Sequence, residues 1–332
     1  MRVYIISFTD KGDLLNKKIS DLFFNYEVLS YTKKKRTETL SEFTQKAFFD
    51  GNVIIFIGAA GIAVRAISGY IKSKATDPAV VVCDELGKYT IPILSGHMGG
   101  ANRITEKISK SIGSIPIITT ATDINGVWAV DCWAVDNNFK IYDNENIKYI
   151  SSHLLKGENV GIVSDIFIDE KLPENVVFGN TDTECGIVVS PYIEKVYKHT
   201  LNLIPKCMGI GVGSRKNADE NALIRLLKNI LTENNIDEYA VCGVGTIDIK
   251  KNEKSVLKLC EYLKTEPKCF SVQELNSVEG DFSSSDFVET VTGTDNVCER
   301  CAVLISGCGN LKIKKSIGDG VTLAVALRRG GM

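Results

Sequence analysis

Short apolar runs alternating with segments of helical apolar spacing organise the first third of the chain. Residues 3–8 are apolar and β-prone and are closed by Thr9-Asp10-Lys11-Gly12. Leu14, Leu15, Ile19, Leu22 and Phe23 then recur at helical spacing, which predicts strand, turn and helix. Residues 28–31 predict a second strand, the basic stretch 33–36 a solvated loop, and Leu40, Phe43, Ala47 and Phe48 a second helix. Residues 53–57 read as a fully buried strand, Gly58-Ala59-Ala60-Gly61 as a turn, and 62–71 as a helix. Strands at 79–83 and 89–93 flank a turn at 84–88; a glycine-rich turn leads to a helix at 101–112, and 115–119 closes the set. Apolar strands alternating with helices imply a parallel or mixed sheet covered on both faces, an α/β domain.

Beyond Thr122 the pattern is less regular. Helices at 127–135 and 145–155 and strands at 160–163 and 186–189 make a middle segment, and Pro191 and Pro205 bracket a connecting stretch. A second α/β unit begins at 208–212. Asn217 and Glu220 have capping-box spacing ahead of a helix striped by Ala222, Leu223, Leu227 and Ile230. A strand at 239–244, a helix at 255–263, a short helix capped by Ser271, a helix at 296–306 and a hairpin of 311–315 with 321–327 complete the chain. The expected organisation is an N-terminal α/β domain at 1–122, a middle segment at 123–205 and a smaller C-terminal α/β domain at 206–332 ending in a β-hairpin.

Composition narrows the function mainly by exclusion. The 332 residues are 44% apolar, and 39 basic against 41 acidic side chains leave a formal charge of −2, so no global field draws the chain to nucleic acid or anionic lipid. A small-molecule partner is expected. The weakly polar run 53–64 is shorter than the roughly 20 residues a membrane helix needs. Residues 3–8 lack a signal peptide's apolar region and cleavage site, which points to the cytoplasm. Ten scattered cysteines are then expected as reduced thiols. Cys298 and Cys301, with Cys308, are the only cysteine cluster. No histidine lies nearby, and the first two share a helix face, so core packing is expected rather than zinc.

Three glycine-bearing segments, 58–61, 96–100 and 209–213, read as turns from strand to helix, where open α/β sheets place ligands and helix starts offer N–H groups. None has the spacing of a dinucleotide fingerprint or a phosphate loop, and each also reads as a simple chain reversal. In Ser95-Gly96-His97-Met98-Gly99-Gly100-Ala101-Asn102 an imidazole stands among close-approach glycines. His97 as general base and the amides at 99–101 as oxyanion donors suit ester or lactone hydrolysis; His97 as a helix cap or loop-carbonyl partner is the structural alternative. Ser95 lacks the G-x-S-x-G context of a nucleophile elbow. Asp84 and Glu85 follow an apolar strand, and one of them is expected to orient His97 or act as a second base. Arg65 is a candidate for substrate carboxylates or for a solvated helix face.

Taken in order, 58–65, 77–87 and 94–102 resemble the N-terminal part of the CbiG family. Gly209-Ile210-Gly211-Val212-Gly213-Ser214-Arg215-Lys216 with Asp219-Glu220, and Val291-Thr292-Gly293 before Val297-Cys298-Glu299, are similar to its C-terminal part. The resemblance implies a cobalt-precorrin-5A hydrolase of anaerobic cobalamin synthesis, which opens a δ-lactone on a ring-contracted cobalt tetrapyrrole and releases acetaldehyde. It implies no cofactor, because the cobalt arrives with the substrate, no resident metal, and at most transient contact with neighbouring pathway enzymes. Gly58, Gly61, Arg65, Ser95, Gly96, Gly99, Gly100, Asn102, Arg103, Gly211, Gly213, Ser214 and Arg215 become candidate substrate contacts, beside His97, Glu85 and Asp84. A methyltransferase of the same pathway, using S-adenosylmethionine, and a non-catalytic tetrapyrrole carrier stay open as alternatives.

Overall fold

The computed structural model describes residues 1–34, 37–73, 76–120 and 124–328. Lys35, Arg36 and Thr122, which the sequence reading assigned to a loop and a domain boundary, lie outside them. The chain divides into two compact units, Met1–Val135 and Asp136–Met332. It is α/β throughout, with three sheets. Among the described residues no helix is long and apolar enough to cross a membrane.

The first unit is built on six strands in the order β2-β1-β3-β4-β5-β6: β1 (Arg2–Ser7), β2 (Glu27–Tyr31), β3 (Val53–Ile57), β4 (Ala79–Cys83), β5 (Tyr89–Leu94) and β6 (Ile115–Pro116). All neighbours are parallel except β4 and β5, so the sheet is mixed. Both faces are buried, as the uninterrupted apolar runs require. Val3, Ile5, Ile55 and Val81 pack under α1 (Asp10–Asp21) and α4 (Ala101–Ile112); Tyr4, Ile54, Phe56 and Val80 pack under α2 (Leu40–Ala47) and α3 (Ala60–Ile67). Leu14, placed on the apolar stripe of α1 by its spacing, is instead 70% exposed.

In the second unit, β7 (Lys140–Ile141), β8 (Val160–Ser164), β9 (Val176–Phe178), β10 (Cys185–Val189) and β11 (His199–Ile204) form a sheet of order β7-β11-β10-β8-β9. α5 (Val130–Asp136) precedes this sheet in the chain, and α6 (Ile147–Leu155) packs on it. The expected connector before Pro205 is therefore the inner strand β11. Its buried polar groups are satisfied locally: Thr200 Oγ1 accepts from Tyr197 N at 2.8 Å, and Asn202 Nδ2 donates to Asp143 at 2.9 Å.

The third sheet, β14-β13-β12-β16-β15, joins β12 (Met208–Ser214), β13 (Val241–Ile247) and β14 (Pro267–Phe270) in parallel. The antiparallel hairpin of β15 (Asn310–Gly318) and β16 (Val321–Leu327) completes it, as expected. One face carries α7 (Ala222–Glu233) and α8 (Lys254–Tyr262); after the short α9 (Val272–Asn276) and α10 (Asp286–Thr292), α11 (Cys298–Ile305) covers the other. Ser271 caps α9 through a capping box with Glu274. The one expected at Asn217 and Glu220 does not form: α7 starts after Asn221, Asn217 is left-handed with φ 61°, and Glu220 faces Lys254.

Glycines 209 and 211 do not mark a turn. They lie inside β12, and α11 rests on them: a Cβ at Gly211 would come within 1.8 Å of Cys298 O and 2.4 Å of Ala302 N. Gly211 is thus a packing residue. Cys298 and Cys301 are buried under the same helix, where desolvation pushes the Cys298 thiol up to about 11. Gly211→Ala should force α11 off the sheet and cost about 1–3 kcal/mol, read as earlier urea unfolding. Wild-type stability with altered ligand binding would instead return Gly211 to the ligand-binding set.

Candidate active site

The hairpin of β4 and β5 decides which candidates meet. Asp84 holds its turn, with Oδ1 accepting from Leu86 N at 2.9 Å and Oδ2 from Tyr89 N at 2.6 Å. Glu85 Oε2 accepts from Thr9 Oγ1 at 2.8 Å, and Gly58 N donates to Cys83 O. Gly58, Asp84 and Glu85 thus share the carboxyl ends of β1, β3 and β4, with Gly61 at the start of α3 and Arg65 exposed further along it. Because β5 runs back, its own carboxyl end lies at the other end of β4: Leu94 pairs with Val80, and Ser95 Oγ donates to Asp77 O at 2.9 Å. Asp84 stands four residues beyond Val80, roughly 13 Å at about 3.3 Å per residue. The expectation that Glu85 or Asp84 orients His97 is therefore corrected.

The carboxylate facing His97 is that of Asp131. His97 Nδ1 lies 3.3 Å from Asp131 Oδ2, with the side chains 14% and 12% exposed. Asp131 reaches there because α5 is pinned by Val130, Trp133 and Ala134, with Trp133 packed on Trp128 at 5.3 Å between ring centroids. Its Oδ1 also accepts from Cys132 N at 3.1 Å. The sequence held a signal for this residue, an acid on the buried face of an apolar helix.

The loop carrying His97 is rigidly closed. Ser95 is left-handed at φ 54°, a costly conformation for a residue with a side chain, and Gly99 packs on it; a Cβ there would lie 2.4 Å from Ser95 Cβ. Gly100 N donates to His97 O at 2.9 Å, Ala101 N to Ser95 O at 3.1 Å and Asn102 N to Gly96 O at 2.9 Å. Two of the three amides expected to receive an oxyanion are thus engaged, and Gly99 N is the one without an acceptor among the described residues. Asn102 is buried and donates to Thr120 Oγ1 at 3.2 Å, so it supports the loop. Arg103 is exposed, with its guanidinium over the Gly100 turn.

His97, Asp131 and Cys132 bring a nitrogen, an oxygen and a sulfur within 4.8 Å of one another and are, among the described residues, the one group of three that could hold a metal ion. Nδ1 already faces a carboxylate, a contact that favours one tautomer of a neutral imidazole.

The C-terminal candidates line a separate cavity of about 300 Å³ in the second unit. Gly213, Ser214 and Arg215 at the end of β12 form one wall, with Ile247 and Lys250 beyond β13. Gly211 is not among its lining residues.

A loop imidazole facing a buried carboxylate in the first unit and a ligand-sized cavity in the second give this α/β chain two candidate sites. Family models agree along nearly the whole chain: cobalamin synthesis G N-terminal at 42–123, cobalamin biosynthesis central region at 128–205 and cobalamin synthesis G C-terminus at 208–326. The chain is 30% identical over 296 residues to a cobalt-precorrin-5A hydrolase of Salmonella typhimurium, covering 85% of this chain and 84% of that one. It is 27% identical to that of Priestia megaterium, covering 97% and 94%. A solved cobalamin biosynthesis protein G homologue from Sulfolobus solfataricus aligns at 25% identity over 98% of this chain and 97% of that one, with a TM-score of 0.42. The chain belongs to the cobalamin-synthesis G (CbiG) family.

Asp131→Asn preserves shape but removes the charge that fixes the Nδ1–H tautomer and stabilises the imidazolium, and should slow hydrolytic turnover on the order of 10²-fold. Asp84→Asn and Glu85→Gln, at the far end of the sheet, should lower it less than about twofold once folding is matched. Steady-state rates of the three variants check this, and a larger loss in Glu85→Gln than in Asp131→Asn would reverse the assignment.

Proposed function

We infer that this chain is a cobalt-precorrin-5A hydrolase of cobalamin biosynthesis, and that His97, held by Asp131 at 3.3 Å, is its general base. That contact carries the reading, and relatives of this name at 27–30% identity support it. With a proton on Nδ1 directed at Asp131, the lone pair is on Nε2, which takes a proton from water. The water oxygen attacks the δ-lactone carbonyl. Gly99 N–H, without an acceptor among the described residues, is the loop's donor for the oxyanion. Collapse breaks the acyl C–O bond, and His97 returns its proton to the departing oxygen. Removal of the proton from the freed secondary alcohol then lets the adjacent C–C bond break: acetaldehyde leaves, and the electron pair passes into the conjugated macrocycle.

In this reading the chain takes no resident cofactor, the cobalt belongs to the substrate, and contacts with neighbouring pathway enzymes are transient. A cytoplasmic location fits a biosynthetic enzyme with free thiols.

Anaerobic turnover of cobalt-precorrin-5A with aldehyde trapping should give one acetaldehyde per substrate. His97→Ala should lose about 10²–10⁴-fold in rate, and His97→Gln, which keeps a hydrogen-bonding side chain without a base, should be as slow. The wild-type rate should fall as pH drops through protonation of the imidazole, since the protonated ring accepts no proton. Near wild-type acetaldehyde release by His97→Gln across the pH range would make His97 a structural residue.

A further inference from the structure

The C-terminal cavity combines two kinds of surface left without internal partners. On α10, Phe287 and Val291 are four residues apart, on one helix face, 75% and 58% exposed, and both line the cavity. No residue of α10 is buried, so this helix makes its apolar face available to whatever fills the cavity. Its two ends are nonetheless anchored. Buried Glu299 accepts from Ser283 N and Ser283 Oγ, both at 2.8 Å, and Arg300 pairs with Asp295 at 2.9 Å while donating to Val278 O. Around the rim stand Arg215, Lys216, Lys250 and Lys315. Lys250 is tied to Glu253 at 3.2 Å, whereas among the described residues Arg215, Lys216 and Lys315 have no carboxylate partner. Among the described residues no Asp, Glu or His lines the cavity.

Unpaired cations around an apolar wall select a ligand with an apolar body and several anionic groups. The cavity opens at the carboxyl ends of the parallel strands β12 and β13, the usual ligand side of an α/β sheet. Its volume of about 300 Å³ is at the lower limit for small-molecule sites. That is room for one edge of a macrocycle and its side chains.

We propose that this cavity is a carboxylate-reading subsite for the tetrapyrrole: Arg215, Lys216 and Lys315 hold peripheral carboxylates of one ring edge, and Phe287 and Val291 cover the apolar face of the macrocycle. This deepens the hydrolase reading and rests on it for the identity of the macrocycle, but the site makes its own prediction about binding.

Titration calorimetry of the full chain with cobyrinic acid, a corrin with free carboxylates, tests it without turnover. The acid should bind, and its heptamethyl ester, with the same body and no charge, should bind at least about tenfold more weakly. Lys315→Met and Arg215→Met should each weaken the acid about fivefold or more, with the effect shrinking at high salt. Phe287→Ala should weaken acid and ester alike. Its exposure makes it safe for folding if a lysine variant proves unstable. No binding of the acid to the wild-type chain, equal affinity for acid and ester, or wild-type affinity in folded Phe287→Ala would overturn the subsite. If the chain binds the acid in this way but releases no acetaldehyde from cobalt-precorrin-5A, the hydrolase reading fails and the subsite stands. If it releases acetaldehyde while the variants leave binding and KM untouched, the reverse holds.

Discussion

The two hydrogen bonds that Asp84 accepts from Leu86 N and Tyr89 N set the geography of the first unit. They close a tight reversal between β4 and β5, so that β5, and β6 parallel to it, run against β1, β3 and β4. Had the chain crossed over by a helix instead, the 95–100 loop would have joined Gly58 at the usual ligand edge. Reversal delivers the imidazole to the opposite end, beside the Asp77 carbonyl and the start of α5. An acidic residue that reads as a catalytic partner is thus a structural residue, and its service is to put the catalytic candidate out of its own reach.

The same trade between backbone and chemistry recurs in the third sheet. Helix α11 approaches β12 so closely that the strand has no room for side chains at Gly209 and Gly211. That approach brings the start of α11, with Val297 and Cys298, against the wall of the cavity, and it buries Glu299 where it ties down Ser283 and the Lys315 amide. Gly209 and Gly211 are thus there for a neighbouring helix, whereas Gly213 lines the cavity. The basic residues immediately after it face the same cavity.

Much of the fold was legible because its signals are local. Five-residue apolar runs such as 53–57 and 79–83 have one way to be buried on both faces, and Ser271 with Glu274 caps as its spacing demands. Strand β11 escaped because His199, Thr200 and Asn202 interrupt its apolar pattern; only tertiary partners make those residues tolerable in a sheet. Helix α10 escaped because its amphipathicity refers to a cavity and not to a core. The site was half legible. His97 stood out by its glycine context, but its partner lies 34 positions away on a helix whose buried acid could be noticed and not paired. The wrong pairing with Asp84 or Glu85 was avoidable, since a hairpin at 84–88 already implies that the following loop leaves that end of the sheet.

The two candidate sites differ in their chemical contents. Around His97 the described groups are an imidazole, a buried carboxylate, a thiol and one exposed arginine, a set able to move protons but poorly equipped to grip a large polyanion. The C-terminal cavity inverts this, with unpaired cations and exposed apolar side chains and, among the described residues, no carboxylate or imidazole in its lining. Carboxylates on an apolar body suit the second set, and proton transfer suits the first. A module that binds without reacting can also hold the product, whose peripheral carboxylates persist after the lactone is gone.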